Sequence, residues 1–144
     1  IHVATHGLLD AERPQFTGVV LSLVGNKDND GFLRTDEIFN LRMGAPLVML
    51  SACETGLGKE KRGEAVIGLT RAFMYAGAPT VGVSLWSVAD KSTAELMTDF
   101  YRRLLGSTNS SSAAMRAAQL GLISGKKYSA PFYWAPFVIV GDWR

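Results

Sequence analysis

The stretch Leu47-Val48-Met49-Leu50-Ser51-Ala52-Cys53-Glu54-Thr55-Gly56 decides how the rest of the chain is read. Four apolar residues in a row after Pro46, with glycine soon after, predict a short strand buried on both faces. Strands of that kind belong to parallel sheets covered on both sides, whereas half-exposed strands alternate apolar with polar residues. The run ends in Ser-Ala-Cys, which puts the protein's one cysteine where a parallel strand opens into a loop. In open α/β sheets ligands and catalytic groups collect at that edge. Cys53 is therefore the candidate nucleophile.

Outward from this strand the pattern repeats. Upstream, Ile1 to Ala4 predicts another buried strand, ending in Thr5-His6-Gly7, and its abrupt start suggests the later part of a longer domain with earlier strands missing. The β-rich run Gly18 to Val24, the polar turn 25–31 and Phe32-Leu33 predict a hairpin inserted between the two parallel strands. Asp36 to Leu41 predicts a short helix capped by Thr35. Downstream come a helix from Glu64 to Ala76 stopped by Gly77, and a strand from Thr80 to Trp86. Two further helices follow, from Ser92 or Thr93 to Leu105 and from Ser112 to Ser124, and a last strand begins at Phe137. Strands alternating with helices predict one α/β domain over residues 1–144, a mostly parallel sheet with helices on both faces.

Composition narrows the function. At 144 residues, 47% apolar and 19% charged, the chain can bury a core without metals or disulfides. Fifteen basic against thirteen acidic residues, a formal charge of +2, give no electrostatic footprint for nucleic acid or an anionic membrane. A single cysteine calls for no oxidising compartment, and no long apolar run or leader is visible, which points to a cytoplasmic protein. One cysteine and two histidines make no zinc set, and no cofactor is expected. Asp28-Asn29-Asp30-Gly31 imitates a calcium loop, but Leu33 stands where such a loop needs glycine. Gly56-Leu57-Gly58-Lys59 fits neither phosphate-binding fingerprint, which weakens a nucleotide-binding reading.

The residues with chemistry to offer are His6 and Cys53, each at the end of an expected strand. If the strands are neighbours, imidazole and thiol open onto one edge. The imidazole then stabilises the thiolate and later protonates a leaving group, while the Gly7 and Cys53 amides face a developing oxyanion. The plain alternative is a cysteine that serves as a small buried hydrophobe. His2, inside the first strand, reads as a hydrogen-bonded core residue.

Several separated motifs occur in one order: Val3-Ala4-Thr5-His6-Gly7, Leu50-Ser51-Ala52-Cys53-Glu54-Thr55-Gly56, Arg62-Gly63-Glu64-Ala65, Ala76-Gly77-Ala78, Val83 to Asp90, and Tyr133-Trp134-Ala135-Pro136-Phe137. Together they closely resemble the CHAT domain, a caspase-like family commonly attached to tetratricopeptide repeats. His-Gly followed by Ala-Cys-x-x-Gly is also similar to caspases, separases and gingipains. Cys53 follows His6 by 47 residues, near the spacing of the caspase signature.

The resemblance implies a caspase-like three-layer sandwich. It also implies a cysteine endopeptidase acting on protein substrates, with His6 and Cys53 as dyad, Gly7 and Cys53 as oxyanion hole, and a repeat region in the same or a partner chain. The Leu85 to Asp90 segment resembles the separase loop whose acidic residue receives a basic side chain. On that likeness Asp90 lies in the S1 pocket and selects Arg or Lys through a charge-assisted pair. Trp86 walls the pocket, and Ser84 to Trp86 offer backbone to an extended substrate. The plain reading of Asp90 is a helix cap, and that of Trp86 a core residue. The alternative function is a catalytically inactive signalling or scaffold module that keeps the fold and binds protein partners.

Overall fold

A computed structural model describes residues 1–8, 10, 12–25, 30–51, 53–54, 59–106 and 110–142, with the backbone alone at 53–54 and 59–62. The strands are β1 (His2–Val3), β2 (His6–Leu8), β3 (Gly18–Val20), β4 (Phe32–Arg34), β5 (Leu47–Leu50), β6 (Cys53–Glu54), β7 (Thr80–Ser84) and β8 (Phe137–Gly141). The helices are α1 (Thr35–Phe39), α2 (Lys59–Tyr75), α3 (Asp90–Gly106), α4 (Ser111–Ser124) and α5 (Pro131–Trp134), with one 3-10 turn at Pro14–Phe16.

The main sheet has the order β1-β5-β7-β8. Its first three strands are parallel and β8 closes the far side antiparallel to β7. Period-two alternation divides its side chains between two layers. Val48, Leu50, Val81 and Val83 face α1 and α2, where they pack with Ile38, Leu69, Ala72 and Phe73. Met49 and Phe137 face the other way, onto Leu96, Met97 and Phe100 of α3 and Ala114, Met115 and Ala118 of α4. The four consecutive apolar residues of β5 are thus explained: each face has its own helical layer. The result is the expected sandwich of helices, mostly parallel sheet and helices. Gly82 belongs to this packing, since a Cβ there would come within 2.5 Å of the Met49 methyl carbon.

The hairpin is more than a local insertion. β3 and β4 pair antiparallel, as expected, and β3 also pairs with β2, which in turn pairs parallel with β6. This builds a second sheet, β4-β3-β2-β6. Gly18 sits inside it, where any Cβ would overlap the Leu33 carbonyl oxygen. The hairpin tip, 26–29, lies outside the described residues.

Several boundaries differ from the sequence expectation for local reasons. The first strand breaks at Ala4-Thr5, so β1 and β2 belong to different sheets. Thr35 is the first helical residue rather than the cap; its hydroxyl donates to Thr17 O at 2.6 Å, and Glu37 Oε2 accepts instead from Arg34 N–H at 2.8 Å. The charged run 59–62 continues α2 upstream of Glu64, as good helix formers do. β7 stops at Ser84, and Trp86 lies beyond it. One turn of helix at Pro131–Trp134 precedes the last strand, with proline at its first helical position as the ordinary signal. Among the described residues no helix is long and apolar enough to cross a membrane.

Candidate functional site

The break that separates the two sheets creates the site. On the main-sheet side His2 pairs with Met49 and Val3 with Leu50. Beyond the break His6 pairs with Cys53 and Gly7 with Glu54. All four pairs have the same offset in sequence, so the two chains stay in step through the interruption. Ser51 N–H donates to Val3 O at 3.0 Å, holding the last rung before it. His6 and Cys53 therefore lie directly opposite each other as the first rung of the β2–β6 pair, just beyond the carboxyl ends of β1 and β5.

His6 is exposed and Gly7 is buried. The Cys53 thiol, the Ala52 link and the loop 55–58 lie outside the described residues. Gly7 is flanked on both sides, by Val19 of β3 and by Glu54 of β6.

The remaining candidates are distributed around the end of β7. Ser84 is buried, 8% exposed, with Phe137 as its register partner. Leu85 N–H already donates to Pro136 O at 2.9 Å, so that one amide of the expected substrate edge is occupied. Trp86 is half-buried and its Nε1–H donates to Phe132 O at 3.3 Å, which ties the expected pocket wall to α5. Asp90 is exposed and opens α3 as its first residue. Its carboxylate therefore stands at the positive end of a seventeen-residue helix.

Sequence reading missed one contact beside the site. His2 Nε2 and the Ser51 hydroxyl form a hydrogen bond across β1 and β5, and the His2 ring lies 5.6 Å from that of Tyr101 on α3. The hydrogen bond agrees with the expectation for His2, but the burial does not. β1 is the outermost described strand of its sheet, so the residue as a whole is exposed and only the ring's inner end is covered. Diagonal cross-strand pairing of His2 with Ser51 was available from period-two geometry.

The partial covering of the ring lowers the His2 pKa below its ordinary 6.5. A base whose folded pKa lies below its unfolded value takes up protons more readily when unfolded. Its contribution is complete above pH 6.5 and falls away as the pH drops through the folded value. Thermal melts taken from pH 7.5 down to about pH 5 should show a loss of stability that the His2→Gln variant lacks. Parallel curves for the two proteins would refute this.

A protein-family model described as "CHAT domain" matches residues 1–142. The chain belongs to the CHAT family. Similar proteins include tetratricopeptide repeat protein 28 of mouse, 33% identical over 110 residues, and of human, 35% identical over 110 residues. These alignments cover 76% of this chain and 4% of either relative. The CHAT domain thus corresponds to a small part of relatives whose name refers to tetratricopeptide repeats, and the name states no reaction.

Proposed function

We propose that this CHAT domain is a cysteine endopeptidase whose dyad is His6 and Cys53. The observation that carries the reading is the register: the two residues are opposite partners in a parallel pair, just beyond the carboxyl ends of β1 and β5, where α/β sheets place their chemistry. Cys53 Sγ attacks the scissile carbonyl carbon, and the tetrahedral oxyanion is held by the Cys53 and Gly7 amides. The role asks of Gly7 that its N–H stay out of the ladder on either side. As the C–N bond breaks, His6 gives its proton to the departing amine, leaving a thioester. Water adds to the thioester with His6 as base, the Cys53–acyl bond breaks, and the free acid departs.

The test is labelling of the full-length protein with a peptidyl acyloxymethyl ketone. Cys53 should be modified, and the His6→Ala variant should react at least about a hundred times more slowly, the lower range for loss of a positioned acid–base group. Equal rates would reject the dyad and favour the inactive scaffold.

Asp90 serves as the S1 acid in this reading, and its exposure on the first turn of α3 supports that role. Ser84 and Trp86 then flank an extended substrate. Asp90→Asn should lower kcat/KM for substrates with Arg before the cut bond by about 10- to 100-fold, the worth of a hydrogen bond to a charged group. Cleavage after a neutral residue should change little. A uniform loss across both substrates would assign Asp90 to the helix alone.

An attached tetratricopeptide-repeat region is proposed as the partner that presents the substrate or controls access to it. The relatives' name supports this association.

A further inference from the structure

A cleft of about 480 Å³ lies between the 3-10 turn and the packed helices α1 and α2. It is within the size range of small-ligand and side-chain sites. Pro14, Phe39 and Ala65 supply apolar lining, and Asp36 and Glu64 add carboxylates. The third carboxylate, Asp10, is already engaged: Arg13 lies 3.1 Å away, and the backbone N–H groups of Glu12 and Arg13 donate to it. Asp36 and Glu64 form no ion pair among the described residues.

Gly68 is the revealing position. It stands inside α2, where glycine costs a helix about 1 kcal/mol relative to alanine. A Cβ built there meets nothing within 4 Å, so the packing of the fold does not demand glycine. Gly68 shares a helix face with Glu64 and Arg71 at spacings of four and three residues, and the missing side chain keeps the cleft open beneath them. Phe39 also lines a second hollow of about 480 Å³, bordered by Met43 and Tyr75, and its ring meets the Tyr75 ring edge-on at 5.3 Å. Phe39 thus lines both hollows, which flank it.

An aromatic ring beside two carboxylates that form no ion pair among the described residues suits a guanidinium, which stacks flat on a ring while donating in plane to carboxylates. We propose that this groove docks an extended peptide whose arginine rests on Phe39 between Asp36 and Glu64, with apolar neighbours over Pro14 and Ala65. Arg71 donates to the peptide's carbonyls. The lining of the groove includes neither His6 nor Asp90, and the proposal holds whether or not the protein cleaves peptides.

The experiment uses the full-length protein with Cys53→Ala, so that no probe is cut. A fluorescein-labelled peptide containing Leu-Arg-Leu is titrated by anisotropy beside one containing Leu-Glu-Leu. The arginine probe should bind saturably and the glutamate probe at least tenfold more weakly. Adding Asp36→Asn with Glu64→Gln should weaken the arginine probe at least tenfold. Gly68→Leu, which keeps a helix former in α2, should abolish binding, and Gly68→Ala should retain it with an unchanged or higher melting temperature. Equal binding of both probes, no saturable binding, or indifference to Gly68→Leu would overturn the proposal. Loss of binding in Asp90→Asn instead would send the arginine to the proposed S1 pocket and overturn it equally.

Discussion

Cys53→Ala should lower kcat/KM on a cleavable peptide by about 10⁴-fold or more, and His6→Ala by about 10² to 10⁴-fold. A loss of 10⁴ is about 5.5 kcal/mol of transition-state stabilisation. It is large because removing the sulfur removes the covalent route itself, leaving only binding and the oxyanion donors. Residues that act as a unit are not additive, so the double variant should be no worse than Cys53→Ala alone. Steady-state kinetics on the full-length protein, with folding checked by melting temperature, reads all three. The geometry makes the expectation sharp: with one sequence offset on both sides of the break, a slip of the ladder that parted His6 from Cys53 would also part His2 from Met49. Residual activity within tenfold of the parent in Cys53→Ala would place the chemistry elsewhere.

Much of this was legible in the sequence, for identifiable reasons. β5 and β7 announce themselves because a strand covered on both faces leaves no polar position to confuse with a helix. α3 does so through Leu96, Phe100 and Leu104, which recur on one face and reach the Met49 side of the sheet. The second sheet was not legible. Nothing in Ile1 to Leu8 marks the break at Ala4-Thr5, because that break is imposed by long-range pairing of β2 with β3 and β6.

Side-chain partners were the other blind spot. The Thr35 hydroxyl had a local role open to it as a cap and took a distant one, at Thr17 O. The cleft along α2 was invisible for a related reason. A glycine inside a helix reads as a mild defect until the neighbouring elements show that it borders open space. The candidate positions His6 and Cys53 were legible because each follows closely on the carboxyl end of a main-sheet strand, where chain order and chemistry coincide.

Phe100→Ala should cost about 3–5 kcal/mol of stability, the usual range for emptying a buried aromatic site. Phe100 is 0% exposed and packs within the α3–α4 layer, its ring 4.9 Å from that of Tyr101. Against a total stability of about 5–15 kcal/mol for an ordinary domain, the loss is a large share. At roughly 2–4 °C per kcal/mol for a domain of this size, the melting temperature should fall by about 6–20 °C. Ile67→Ala on α2 is the matched control: that side chain is 52% exposed, and its truncation should stay within about 0.5 kcal/mol. The comparison also separates stability from chemistry. The register of His6 with Cys53 rests on backbone pairing along β1, β5, β2 and β6, whereas Phe100 supports the helical layer beneath. Well below its melting temperature, Phe100→Ala should still react with the peptidyl ketone at close to the parental rate. A parental melting temperature would show that the α3–α4 layer is not the packed core described above. A stable Phe100→Ala protein that failed to label would show that the dyad depends on the helices and not on the strand ladder alone.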